Sequence, residues 1–69
     1  MDTMTGAELR RARKRLGMTQ KQLGEALSVH WNSIARMERD EFQIIRTTEL
    51  AVKYLLVMET KNRRNKRGK

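Results

Sequence analysis

The sequence predicts an all-α fold, a compact bundle of four to five helices that ends in a long C-terminal helix. Two pairs of residues have the spacing at which a threonine side chain caps the start of a helix. Apolar residues after these signals recur every three or four positions, as they do on one face of a helix. With 69 residues, the chain has room for one domain around one modest core.

The first helix is bounded by two local signals. Thr5 and Glu8 have the T-x-x-E spacing of a capping box, in which each side chain bonds to the backbone of the other residue. The helix is expected to continue to about Leu16. Gly17 follows the last apolar residue of the repeat, so a left-handed C-terminal cap is expected there.

A second and a third helix are expected within residues 19–39, separated by a short break. Thr19 and Gln22 repeat the capping-box spacing at the start of the second helix. Gly24 costs a helix interior roughly 1 kcal/mol relative to alanine, which predicts that another helix approaches closely at this position. The third helix is expected to begin at His30 or at the residue before it, and to end near residue 39.

The fourth helix follows a loop over Asp40–Ile45. Thr47 or Thr48 is the predicted capping residue, because threonine is among the residues preferred at that position. Glu49 would then lie in the first turn, where the helix dipole favours a negative charge.

The fourth helix is apolar on both sides. Its segment Leu50–Met58 contains a single charged residue, Lys53. Because three short neighbouring helices cannot cover both sides, we expect the second side to be a dimer interface formed by Val52, Leu55 and Leu56. The alternative is a wide core face with one or two exposed aliphatic side chains.

The positive charge is concentrated in the last nine residues. The net charge is +8, and residues 61–69, KNRRNKRGK, hold six of the basic residues and no acidic one. We therefore expect one folded domain over residues 1–60 and a basic, disordered tail over residues 61–69. On a DNA-binding domain such a tail would raise the affinity for any sequence, because each neutralised phosphate releases counterions.

Several kinds of site are not indicated. The chain has no cysteine, hence no disulfide and no thiolate metal site, which agrees with a reducing cytoplasm. We expect no signal peptide and no membrane span, because the sequence has no suitable apolar run. The single histidine, His30, has no partner at metal-ligand spacing. Without a nucleophile–base pair or a glycine-rich phosphate loop, we expect no enzyme, no metal and no cofactor.

Residues 16–39 carry a family resemblance. The run LGMTQ at 16–20 is followed by apolar residues on the second helix, then by Val29, Ile34 and the run RMER at 36–39. Over about Thr5–Leu56 the chain resembles the phage repressor/Cro-type helix-turn-helix proteins, also called the xenobiotic-response-element family. The resemblance implies a bundle of four or five helices whose third helix lies in the major groove of DNA. It also implies a bacterial or phage-encoded cytoplasmic protein, typical of mobile genetic elements.

The third helix carries the residues that would read DNA. Asn32 and Arg36 lie four residues apart and share a face, and they can bond adenine and guanine bidentately. An ordinary solvated face is the alternative. Trp31 lies toward the flank, where it would contact a thymine methyl group or pack on sugars rather than enter the core. By the resemblance, the base-reading positions are Trp31, Asn32, Ser33 and Arg36.

The resemblance also assigns residues to the DNA backbone and to the scaffold. Gln20 would bond a phosphate and brace the third helix, and His30 would bond a phosphate or cap that helix. The phosphate-contacting set is Thr19, Gln20, His30 and Arg46. Arg13 and Glu38 match a pair that forms a partly buried salt bridge in some relatives.

Three residues depart from the family pattern. Ser28 replaces the turn glycine, so it must adopt a positive φ or change the turn, at a cost of roughly 1–2 kcal/mol. Asp40 replaces the glycine after the third helix, a change that aspartate tolerates better than most residues. Glu41 lies near the expected phosphate path and should repel it slightly.

The leading functional hypothesis is a homodimeric, sequence-specific transcriptional regulator, most simply a repressor and one able to regulate its own gene. Its two recognition helices would engage half-sites about 34 Å apart in a palindromic double-stranded DNA operator. The alternative is a protein-interaction module of the antitoxin or antiactivator type, which binds a partner protein through the last helix.

Overall fold

The computed structural model describes residues 3–67, with side chains through Lys61. Within these residues the chain forms no strand and four helices: α1 (Gly6–Arg15), α2 (Gln20–Leu27), α3 (Trp31–Glu38) and α4 (Arg46–Arg67). The predicted all-helical fold is confirmed, with four helices in this part of the chain. None of them combines the length and the apolar character needed to cross a membrane.

The expected basic tail, residues 61–69, falls almost entirely on residues whose side chains lie outside the described part. The division into a domain over residues 1–60 and a disordered tail therefore stays a prediction.

Both predicted capping boxes are present. At the start of α1 the Thr5 hydroxyl accepts from the Glu8 backbone N–H at 3.2 Å, and the Glu8 carboxylate accepts from the Thr5 N–H at 2.9 Å. Thr19 and Gln22 make the same reciprocal pair at the start of α2, at 3.1 and 2.9 Å. These bonds satisfy N–H groups that have no partner within their own helix.

The first three helices end in the same backbone motif. Each is followed by one residue with positive φ: Gly17 at 71°, Ser28 at 59° and Asp40 at 61°. The N–H of that residue bonds to the carbonyl three residues earlier, and the next N–H bonds to the carbonyl five residues earlier. The predicted left-handed cap at Gly17 and the positive φ at Ser28 are both confirmed.

Helix α4 begins earlier than predicted. Its first residue is Arg46, and the Glu49 N–H donates to the carbonyl of Ile45 at 3.0 Å. The predicted cap at Thr47 or Thr48 is therefore wrong, because both threonines already lie inside the first turn. Glu49 lies in that turn, as predicted.

One core joins the four helices. Its large, fully buried side chains come from every helix and from the loop before α4: Leu9, Leu23, Ile34, Ile44 and Val52. Burying one such side chain contributes roughly 1.5–3 kcal/mol. Because Ile34 is part of this core, the orientation of α3 about its own axis is set by the core and not by its exposed residues.

The two apolar sides of α4 have the opposite roles to those expected. Val52, expected at a dimer surface, is 0% exposed in the core, and Leu55 and Leu56 are half-buried beside it. The exposed side carries three large apolar residues: Leu50, Tyr54 and Val57. The placement of Val52 at an interface is corrected accordingly, since packing of α1–α3 covers its side of the helix.

Two glycines let α3 approach its neighbours. A Cβ at Gly24 would overlap the carbonyl oxygen of Val29, and a Cβ at Gly6 would overlap those of Met37 and Glu38. The close approach predicted at Gly24 is confirmed, with the backbone leading into α3 as the neighbour. Both α1 and α2 therefore lie against α3 backbone to backbone, which leaves little freedom in its position.

Candidate functional site

Helix α3 buries one side and exposes the other. Its buried side consists of Ile34, Ala35 and Met37. Of the four residues predicted to read bases, Ser33 is half-buried and three are exposed: Trp31, Asn32 and Arg36. Trp31 is 49% exposed, so it lies outside the core. The exposed groups supply an amide, a guanidinium and an aromatic surface along one short helix.

His30 caps the start of α3. Its backbone is extended, and its Nδ1 accepts from the Asn32 backbone N–H at 3.1 Å. A neutral imidazole that accepts at Nδ1 carries its proton on Nε2, which leaves one donor free. The ring also lies against Trp31, with centroids 5.8 Å apart and planes tilted by 30°. Of the two roles expected for His30, the geometry places it as the cap and leaves Nε2 able to reach an acceptor.

Arg36 has an aromatic neighbour that the sequence analysis missed. Its Cζ lies 5.2 Å from the centroid of the Phe42 ring, in cation–π geometry. Phe42 belongs to the loop between α3 and α4 and is 42% exposed. Phe42 is the one aromatic residue in the loop between α3 and α4, and this was the available signal, although spacing along the sequence does not show that the loop turns back on α3.

A partly buried ion pair joins α1 to α3. Arg13 Nε donates to Glu38 Oε2 at 2.6 Å, and Arg13 Nη2 donates to Glu38 Oε1 at 3.3 Å. The two side chains are 13% and 5% exposed. Arg13 Nη1 also donates to the carbonyl of Met18, in the link before α2, at 3.0 Å. One guanidinium therefore ties together α1, the link and the end of α3.

Gln20 extends this network to α2. Its Nε2 donates to Glu38 Oε1 at 3.1 Å, so the first residue of α2 is fixed against α3. The bracing role expected of Gln20 corresponds to this contact. The Thr19 hydroxyl oxygen accepts the capping hydrogen bond of α2, and the residue is exposed. Arg46 is exposed at the start of α4.

The two acidic residues that follow α3 are both engaged. Asp40 Oδ1 accepts from the Gly6 N–H at 2.8 Å, at the amino end of α1, where a negative charge is favourable. Glu41 Oε2 accepts from Arg39 Nε at 3.0 Å. The hydrogen bond and the positive charge of Arg39 hold the pKa of the Glu41 carboxyl below its ordinary value. The repulsion expected of Glu41 is thus offset by a neighbouring cation.

The described residues contain no group of three side chains arranged to hold a metal ion. The exposed side of α3 offers the Asn32 amide, the Arg36 guanidinium and the Trp31 ring on a rigid support, with Phe42 of the following loop beside Arg36. These groups suit recognition of a flat, polar, negatively charged partner by surface contact.

A family model described as a helix-turn-helix domain matches residues 5–53. The match includes α1, α2, α3, the loop that carries Phe42 and the first part of α4. No curated protein and no solved structure matches the chain.

Proposed function

The chain belongs to the helix-turn-helix domain family, and from this premise we propose that it is a sequence-specific DNA-binding transcriptional regulator whose helix α3 enters the major groove. The observation that carries the proposal is the composition of α3: its apolar side is locked in the core, while Asn32 and Arg36 share the exposed side. A helix of this kind fits the major groove, where base edges present hydrogen-bonding patterns.

In this proposal the exposed residues of α3 read the base edges. Asn32 bonds adenine and Arg36 bonds guanine, and each bidentate pair is worth about 1–3 kcal/mol of discrimination. Trp31 lies at the amino end of the helix, where it would contact a thymine methyl group or a sugar. Ser33 is short and half-buried, so it would allow a phosphate of the DNA backbone to approach α3 closely.

The phosphate contacts would come from groups around the amino ends of the helices. Gln20 and Thr19 lie where α2 begins, and the free Nε2 of His30 lies where α3 begins. Arg46 at the start of α4 adds a cation. Such contacts set the position of α3 on the duplex without reading sequence.

We also propose that the regulator acts as a homodimer on a palindromic operator, most simply as a repressor. The face offered for dimerisation is the exposed side of α4, Leu50, Tyr54 and Val57, in place of the buried Val52. Half-buried Leu55 and Leu56 would at most border it. The same face supports the second candidate function, a protein-interaction module, if a different protein covers it.

Titration against DNA tests the main proposal. The purified protein is titrated with the duplex that flanks its own gene and with a scrambled duplex of equal length, at two salt concentrations. We expect a preference for the flanking DNA that persists at the higher salt, because base contacts do not depend on counterion release. Equal, salt-sensitive binding to both duplexes would contradict sequence-specific regulation and favour the interaction module.

A further inference from the structure

The loop after α3 is folded back on the helix by backbone hydrogen bonds. The N–H groups of Glu41 and Phe42 both donate to the carbonyl of Arg36, at 2.9 and 3.4 Å. Asp40 anchors the same loop to α1 through its bond to Gly6. Phe42 is therefore held next to Arg36 by the main chain on one side and by the first helix on the other.

The positively charged Arg36 guanidinium lies over the Phe42 ring. Arg36 Cζ lies 5.2 Å from the centroid of the Phe42 ring. The guanidinium is planar and carries five N–H donors in a fixed fork. Within the described residues the Arg36 side chain donates no hydrogen bond and forms no ion pair.

The carboxylate of Glu41, which precedes Phe42 in this loop, is hydrogen-bonded to Arg39, although its charge also interacts with Arg36. Glu41 follows Arg36 by five residues and pairs with Arg39, through bonds of 3.0 and 3.5 Å. A carboxylate fork on Arg36 would occupy the donors that a guanine needs. The loop thus places the Phe42 ring at Arg36 and the Glu41 carboxylate at Arg39. The ring restricts the Arg36 side chain, and the N–H donors of Arg36 keep no hydrogen-bond partner within the described residues.

We propose that Phe42 is a positioning residue that determines sequence specificity, because it orients Arg36 for bidentate contact with a guanine in the major groove. This inference rests on the proposed DNA-binding function and deepens it. Restricting the Arg36 side chain before binding reduces the conformational entropy that it loses in the complex. The resulting gain in affinity applies to the base that Arg36 reads. Contacts made by other residues are unaffected.

The test compares Phe42→Ala and Phe42→Leu with Phe42→Tyr. The wild-type chain first selects its preferred duplex from a random library. Affinities are then measured for that duplex, for each single base-pair change and for random-sequence DNA. We expect Phe42→Ala and Phe42→Leu to lower the discrimination at one G·C pair by roughly three-fold, the size of an exposed cation–π contact. Phe42→Tyr keeps the ring and should keep the discrimination.

Arg36→Ala identifies the base pair concerned. It should remove the preference at the same G·C pair, and adding Phe42→Ala to it should have no further effect there. Affinity for random-sequence DNA should be equal in the Phe42 variants and the wild type. In the free protein, NMR should show ring-current shifts at the Arg36 side chain that are lost in Phe42→Leu and kept in Phe42→Tyr.

The outcomes separate this inference from the function on which it rests. A wild-type chain that selects no sequence overturns both. A wild-type chain that selects a sequence, together with a Phe42→Leu variant that keeps the full preference, overturns only the role of Phe42. An equal loss on selected and random DNA also overturns it, because that pattern indicates general damage to the fold.

Discussion

Ser28 and Asp40 share a left-handed backbone conformation but differ in what their side chains do. Asp40 Oδ1 accepts from the Gly6 N–H, which joins the end of α3 to the start of α1. Within the described residues the Ser28 side chain makes no hydrogen bond. The same strain is therefore offset at Asp40 and left uncompensated at Ser28.

Replacing Ser28 with glycine should stabilise the protein by about 0.5–1 kcal/mol. The substitution removes a left-handed cost of roughly 1–2 kcal/mol, less the greater chain entropy of glycine when unfolded. Asp40→Gly is the matched control and should give no such gain, because it loses the bond to Gly6. Urea unfolding of both variants checks the difference, and equal gains would contradict it.

The contribution of the Arg13–Glu38 pair to stability depends on the low exposure of its two side chains. Arg13→Ala should destabilise the fold by about 3 kcal/mol, because it leaves the Glu38 carboxylate buried with Gln20 as its remaining side-chain donor. The double variant Arg13→Met with Glu38→Met should recover most of that loss, since no charge is then buried. Thermal and urea unfolding measure both effects. A double variant as unstable as Arg13→Ala would show that the loss came from packing.

At the scale of the elements, helix starts are assigned by bonds between near neighbours. The boxes of Thr5 with Glu8 and of Thr19 with Gln22 involve residues three positions apart, so the sequence alone locates them. The start of α4 has no such box, and its position at Arg46 depends on how the loop leaves Ile44 in the core. A capping pattern therefore locates a helix start where two side chains form the reciprocal box, and a threonine without such a partner does not locate it.

The cap of α3 predicts two separable effects of His30. His30→Ala should lower stability by about 1 kcal/mol, because the Asn32 N–H loses its acceptor. His30→Asp restores a capping acceptor and should recover that stability, yet it places a negative charge at the proposed phosphate contact and should weaken DNA binding. Unfolding and DNA titration on the same variants check this. Strong DNA binding by His30→Asp would place the imidazole away from phosphate.

At the scale of the whole molecule, the exposed apolar side of α4 is the surface on which we propose that two copies of the chain associate. Leu50, Tyr54 and Val57 are exposed apolar residues on one helix of a small domain. A second copy of the chain would cover the face and would also set the separation of two α3 helices. Leu56 is unsuited to test this, because it packs on the core.

Tyr54→Asp should convert the proposed dimer to a folded monomer. Tyr54 is 62% exposed, so a charge there costs little in the single chain but would be buried without a partner in a dimer. Tyr54→Phe, which keeps the apolar ring, should remain dimeric. Sedimentation equilibrium gives the mass, and circular dichroism confirms folding. A dimer that survives Tyr54→Asp would place the interface elsewhere.

Three residues show how far sequence reasoning reached. The strained φ of Ser28 was predicted because one missing glycine in a known turn leaves few conformations. Trp31 was expected on the flank of α3 and outside the core, and it is 49% exposed. Val52 was misplaced because helical periodicity separates two sides of a helix without stating which side faces the core.

By itself the sequence determined the capping boxes of α1 and α2, the left-handed residue after α1 and the residues on each side of α3, since these depend on hydrogen bonds and angles within a few residues. The tertiary structure alone decided that Val52 is core and Tyr54 is surface, and that Phe42 lies on Arg36. Those outcomes depend on how separate segments fill one volume. Local bonding defines an element, whereas long-range packing decides what that element shows to its partners.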